Sequence, residues 1–155
     1  MIILYSTIWV ALALLVTAEA GKSLRPGATW IRTATIVGAQ LGIIHALLAL
    51  AQRFNWNHAL AVTATAQQAA AVYGYEWPGS IYINYIFLAV WLTVGWRLRH
   101  WVWRVFVLTM VVNGAVVFVR PSARPLGVVL VAVLLFVWAR PLIQSSGHAV
   151  GKIDP

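Results

Sequence analysis

His45 has the widest chemical repertoire of any side chain here. It lies inside the apolar run LGIIHALLAL (41–50), where a polar group is costly and is kept for a use. Three roles fit an imidazole in that setting. It can hydrogen-bond to a neighbouring helix. It can act as an axial ligand to a haem iron or a chlorophyll magnesium, because small residues beside it let a flat macrocycle pack closely. It can also handle a proton or touch a substrate. A bis-histidine haem needs a second histidine at membrane depth, and His58, His100 and His148 all fall outside the apolar runs. His45, His58 and Glu76 match the ligand number of a catalytic zinc. No H-x-x-x-H or H-E-x-x-H spacing supports that set, so no metal is assigned and the cofactor stays unknown.

A second concentration of polar chemistry follows directly. Residues 52–80 read QRFNWNHALAVTATAQQAAAVYGYEWPGS, between stretches that are nearly all apolar. Gln52, Arg53, Asn57, His58, Tyr73, Tyr75 and Glu76 come from this connector; Tyr82, Asn84 and Tyr85 follow it. Together with His45 they form the candidate ligand- or partner-binding surface. The tyrosines suit interfacial anchoring, the lining of a flat amphipathic ligand such as a quinone or lipid head, or a docking face for another subunit. Tyr82 and Tyr85, three apart, share one helix face. Glu76 is expected to pair with Arg53, and Glu19 with Lys22 at the membrane surface.

Several enzyme classes find no support. The chain has no cysteine, which removes thiolate metal sites and cysteine nucleophiles. Its one aspartate is Asp154, its serines lack a nucleophile-elbow context, and no phosphate loop is present. The acids all fall outside the apolar runs. No catalytic residue is assigned, and the reading leans away from an enzyme.

The elements that must position these residues follow from composition. Of 155 residues, 62% are hydrophobic and 9% charged. A soluble domain carries about 25% charged residues, so this chain cannot cover a water-facing surface. The expectation is an all-α, single-domain polytopic bundle. Five transmembrane helices are drawn at about 2–18, 30–51, 81–96, 101–119 and 126–143, with a polar linker at 52–80. The last two are rich in valine, which favours strand in water, but an unpaired strand is forbidden in lipid. Segment 59–75 is expected to be a short helix at the outer interface, capped by Asn57 and ended by Gly74. As a sixth span it would bury Thr63, Thr65, Gln67 and Gln68. It has no clean apolar stripe, so protein contact on several sides is expected.

The net charge of +8 lies at the ends of apolar runs rather than on one face. It reads as topology signal and lipid-headgroup contact, not nucleic-acid binding. Lys22, Arg25 and Arg32, then Arg97, Arg99 and Arg104, then Arg140 and Lys152 fall on one side of a five-span bundle. The positive-inside rule places that side, with the C-terminus, in the cytoplasm and the N-terminus outside. Arg120 and Arg124 are exceptions. No Lys or Arg precedes the first apolar run, so it reads as an uncleaved span rather than a signal peptide. A bacterial cytoplasmic membrane is the expected location.

Gly38, Gly42, His45, Ala49 and Gln52 share a narrow stripe on the second span. Gly38-x-x-x-Gly42 allows close approach of another helix. Asn113-Gly114 in the fourth span is expected to be a packing or kink position. The functional expectation is a non-catalytic accessory subunit of a larger membrane complex of respiratory or photosynthetic type, with the bilayer and other subunits as partners. The alternative is a stand-alone binder or transporter of a small hydrophobic ligand (quinone, tetrapyrrole or lipid) at the outer leaflet.

Overall fold

The computed structural model describes residues 2–98 and 101–149, with side chains at 3–98 and 101–140. Arg99, His100, Lys152 and Asp154, and the side chains of Ser145, Ser146 and His148, lie outside the described residues. Six α-helices account for most of the chain: α1 (Ile2–Leu24), α2 (Thr29–Phe54), α3 (His58–Tyr73), α4 (Ser80–Thr93), α5 (Trp101–Val112) and α6 (Arg124–Ala149). A π-helical turn, Asn113–Val117, continues α5, and a 3-10 turn, Pro121–Ala123, leads into α6. No strand occurs among the described residues. Ile3–Leu24, Thr29–Phe54 and Pro121–Arg140 are long and apolar enough to cross a membrane. Ser80–Thr93 and Trp101–Val117 are apolar but shorter.

The apolar helices pack around one core. Ala11, Leu15, Ala39, Phe87, Trp91, Trp103, Val107, Val111 and Leu134 are buried together. α1 and α2 make the most extensive contact, and α4 packs on α2. Gly38 and Gly42 permit that second contact. A Cβ at Gly38 would stand 2.8 Å from the Trp91 ring, and one at Gly42 would stand 2.7 Å from Leu88 Cδ2. The glycine pair therefore receives side chains of α4, while Leu14 and Ala11 of α1 also approach Gly38. Trp91 fills this space although its indole N–H has no hydrogen-bond partner.

The contacts sort into two ends of the bundle. At one end lie Tyr5 of α1, Arg53 of α2, the start of α4, the π-turn and Arg120, linked by ring and hydrogen-bond contacts. At the other lie Glu19 and Lys22 of α1, Gly95 after α4, and Trp103 of α5. Arg32 and Arg97 also meet there, on the Trp96 ring.

α3 stays at the first end. His58, its first residue, lies 5.9 Å from the rings of Tyr82 and Tyr85 near the start of α4. Tyr73, its last residue, reaches Asn113 and Phe118 at the end of α5. Both ends of α3 thus touch the same end of the bundle. Asn57 caps it by accepting from Leu60 N–H at 3.1 Å, and Gly74 ends it in the left-handed region with φ 81°. The expected contact on several sides is not what the helix makes. Ala61, Ala66 and Ala69 are buried along one side, whereas Thr63, Gln67 and Gln68 are exposed.

One sequence expectation about α1 needs correction, and one holds. The helix runs to Leu24 rather than ending near residue 18, so Glu19 and Lys22 belong to it. Their expected ion pair is present, at 2.6 Å, and both side chains are buried within the bundle. Lys22 Nζ also donates to the carbonyl of Gly95 and, at 3.3 Å, to that of Leu98. It thereby satisfies carbonyls of the turn that follows α4.

Candidate functional site

The residues selected from sequence are not gathered into one pocket; those with contacts fall into three clusters and a separate Tyr73–Asn113 pair. The first surrounds His45. Its Nδ1 lies 2.8 Å from the Leu4 carbonyl of α1 and 3.4 Å from Thr7 Oγ1. A carbonyl only accepts, so Nδ1 carries the proton and Nε2 is left as the lone-pair nitrogen. A backbone carbonyl on the far nitrogen is how metal-ligating histidines are oriented, yet it equally describes a histidine that ties two helices together. Among the described residues, no group of three His, Cys, Asp or Glu side chains could hold a metal ion.

The second cluster is aromatic. His58, Tyr82 and Tyr85 converge, the two tyrosines meeting edge to face at 6.1 Å. Helical spacing places both tyrosines on the α4 face that meets the start of α3. Asn84, on the same helix, is exposed, and Tyr75 is 62% exposed. The tyrosines grouped by sequence therefore separate: Tyr73 belongs elsewhere. Its hydroxyl lies 2.8 Å from Asn113 Oδ1, to which it donates, and its ring meets Phe118.

Asn113 opens the π-turn, which closes with Phe118 N–H donating to its carbonyl at 2.9 Å. Gly127 of α6 presses on that turn so closely that a Cβ there would collide with the Ala115 carbonyl. Gly114, by contrast, faces open space. The packing glycine opposite this segment is thus Gly127, which sequence reasoning missed.

The third cluster holds Arg53. It does not pair with Glu76, as expected; its Nη2 donates to Tyr5 Oη at 2.9 Å. Among the described residues the one ion pair is Glu19–Lys22. Gln52 and Glu76 are exposed.

Sequence reasoning paired Glu19 with Lys22 but missed the network around that pair. Glu19 Oε1 accepts from Lys22 Nζ and, at 2.8 Å, from the indole N–H of Trp103. The ammonium stands 5.5 Å from the Trp103 ring centre. Residues 19 and 103 lie 84 apart in sequence, so no local pattern could join them. The usable signal was an i, i+3 Glu–Lys pair at the end of an otherwise uncharged helix.

A shallow groove of about 570 Å³ lies between α1 and α2, lined by Leu14, Thr17, Thr29, Trp30, Thr33, Ala34 and Val37. None of the residues chosen from sequence lines it. Comparison with known proteins yields no match, whether to a family model, a curated protein or a solved structure.

Proposed function

We propose that this chain is a non-catalytic subunit of a larger membrane assembly, crossing the bilayer five times with α3 on the non-cytoplasmic face. Gln40 carries the reading. It lies about 17 Å along α2 from one end and about 21 Å from the other, which is mid-membrane depth for a spanning helix. It is exposed and forms no hydrogen bond to another described residue. Val37, Ile44 and Leu47 share its outward face and are 39%, 44% and 49% exposed. An amide in hydrocarbon is stabilised by a hydrogen bond across a helix interface, worth about 0.6 kcal/mol on average in membrane proteins. Glu19 and His45 are, in contrast, engaged internally: Glu19 with Lys22 and Trp103, and His45 with Leu4. Gln40 is an outward polar group at mid-depth without such a partner.

Purification from native membranes in mild detergent, followed by native mass spectrometry, tests this. The wild-type chain is expected to migrate with other polypeptides, and Gln40→Leu to dissociate more readily. A monodisperse wild-type monomer would contradict the proposal.

The His58–Tyr82–Tyr85 cluster favours a second reading, a binding face for a flat hydrophobic ligand such as a quinone or tetrapyrrole. Solvent extraction of the purified protein and an absorption spectrum would reveal such a ligand. Tyr82→Ala should then lower its occupancy.

A further inference from the structure

Arg120 and Arg124 lie at the bundle end that positive charge should avoid if the opposite end is cytoplasmic. Arg120 has a specific neighbourhood there. Its Cζ is 4.8 Å from the ring centre of Tyr5. Arg53 approaches the same ring, with Cζ at 6.0 Å, and donates from Nη2 to the Tyr5 hydroxyl at 2.9 Å. Three elements far apart in the chain thus bring two guanidinium groups to one phenol. Neither arginine has a carboxylate partner among the described residues.

Two cations gathered on one ring repel, and the low dielectric of nearby hydrocarbon strengthens the repulsion. An anion between them reverses the sign. The guanidinium fork matches phosphate oxygens bidentately. Tyr5 Oη accepts from Arg53, so its own proton remains available to donate. Both arginines are exposed and can be reached, while the tyrosine is half-buried and holds the geometry.

We propose that Tyr5, Arg53 and Arg120 form a binding site for a phosphate group, carried by an anionic phospholipid or free as inorganic phosphate. The site accounts for a basic residue retained against the topological bias, and it stands independently of any protein partner.

The purified full-length chain in mild detergent is titrated with phosphatidylglycerol and, separately, with inorganic phosphate. Binding is followed by native mass spectrometry and by the shift in Tm. Arg53→Gln and Arg120→Gln are each expected to weaken binding about tenfold, as loss of one charge-assisted hydrogen bond implies. Arg25→Gln, at the opposite end, should leave it unchanged. Tyr5→Phe keeps the ring and removes only the hydroxyl; a smaller loss there supports the site even where an arginine variant fails to fold. A response to phosphatidylglycerol alone identifies a lipid site, and a response to inorganic phosphate identifies a soluble one. Wild-type protein that binds neither, or an Arg53→Gln/Arg120→Gln double variant that binds as tightly as wild type, overturns the proposal.

Discussion

Lys22 ties two parts of the chain together through one ammonium: Glu19 on its own helix and the carbonyls of Gly95 and Leu98 beyond α4. Such a group is costly to break and cheap to replace whole. Removing one member of a buried ion pair leaves an uncompensated charge, at a cost of about 3–5 kcal/mol, whereas replacing both is often neutral. Lys22→Met is therefore expected to destabilise the protein by about that amount, and Glu19→Gln/Lys22→Met to recover most of the loss. Thermal unfolding in detergent measures both. The glycines give a second test at this scale. Gly42→Leu must displace Leu88, an overpacking cost of about 1–3 kcal/mol. Gly114→Ala meets nothing within 4 Å and should be close to neutral in the same assay.

Among the elements, α3 was the most legible in sequence. Asn57 and Gly74 are residue types that start and stop helices, and they do so here. Polar Thr63, Gln67 and Gln68 argued against a span, and they are exposed at one end of the bundle. The end of α1 was misread for a physical reason. Glu19 and Lys22 look like charges placed beyond the end of a span, but they neutralise each other one turn apart, and the helix continues to Leu24 with both buried. The candidate site was legible as residue types and not as a grouping. His58, Tyr82 and Tyr85 meet, but Tyr73 pairs with Asn113 and Arg53 with Tyr5, because helix packing set their partners. The π-turn was also out of reach, since it sits against Gly127 of a different helix. Gly127→Val pushes into the backbone carbonyl of Ala115, which cannot rotate away like a side chain. It should lower the Tm more than Gly114→Ala does, by about 1–3 kcal/mol of stability.

At the scale of the whole molecule, the two bundle ends differ in kind. One gathers Lys22, Arg32, Arg97 and Arg104 among tryptophans: Trp96 beside Arg32 and Arg97, Trp103 beside Lys22, and Trp138 beside Arg104. The other carries α3, the tyrosines and Arg53 with Arg120. This asymmetry underlies the proposed orientation, and the proposed phosphate site depends on it. The chain has no native cysteine, so single cysteines can be introduced one at a time. Labelling Gln67→Cys and Arg97→Cys with a membrane-impermeant maleimide, in intact cells and in inverted vesicles, is the most direct measurement. Gln67→Cys should react only from the non-cytoplasmic side and Arg97→Cys only from the cytoplasmic side. Reaction of both from the same side, or protection of position 67 from each side as in a buried crossing, would contradict the account.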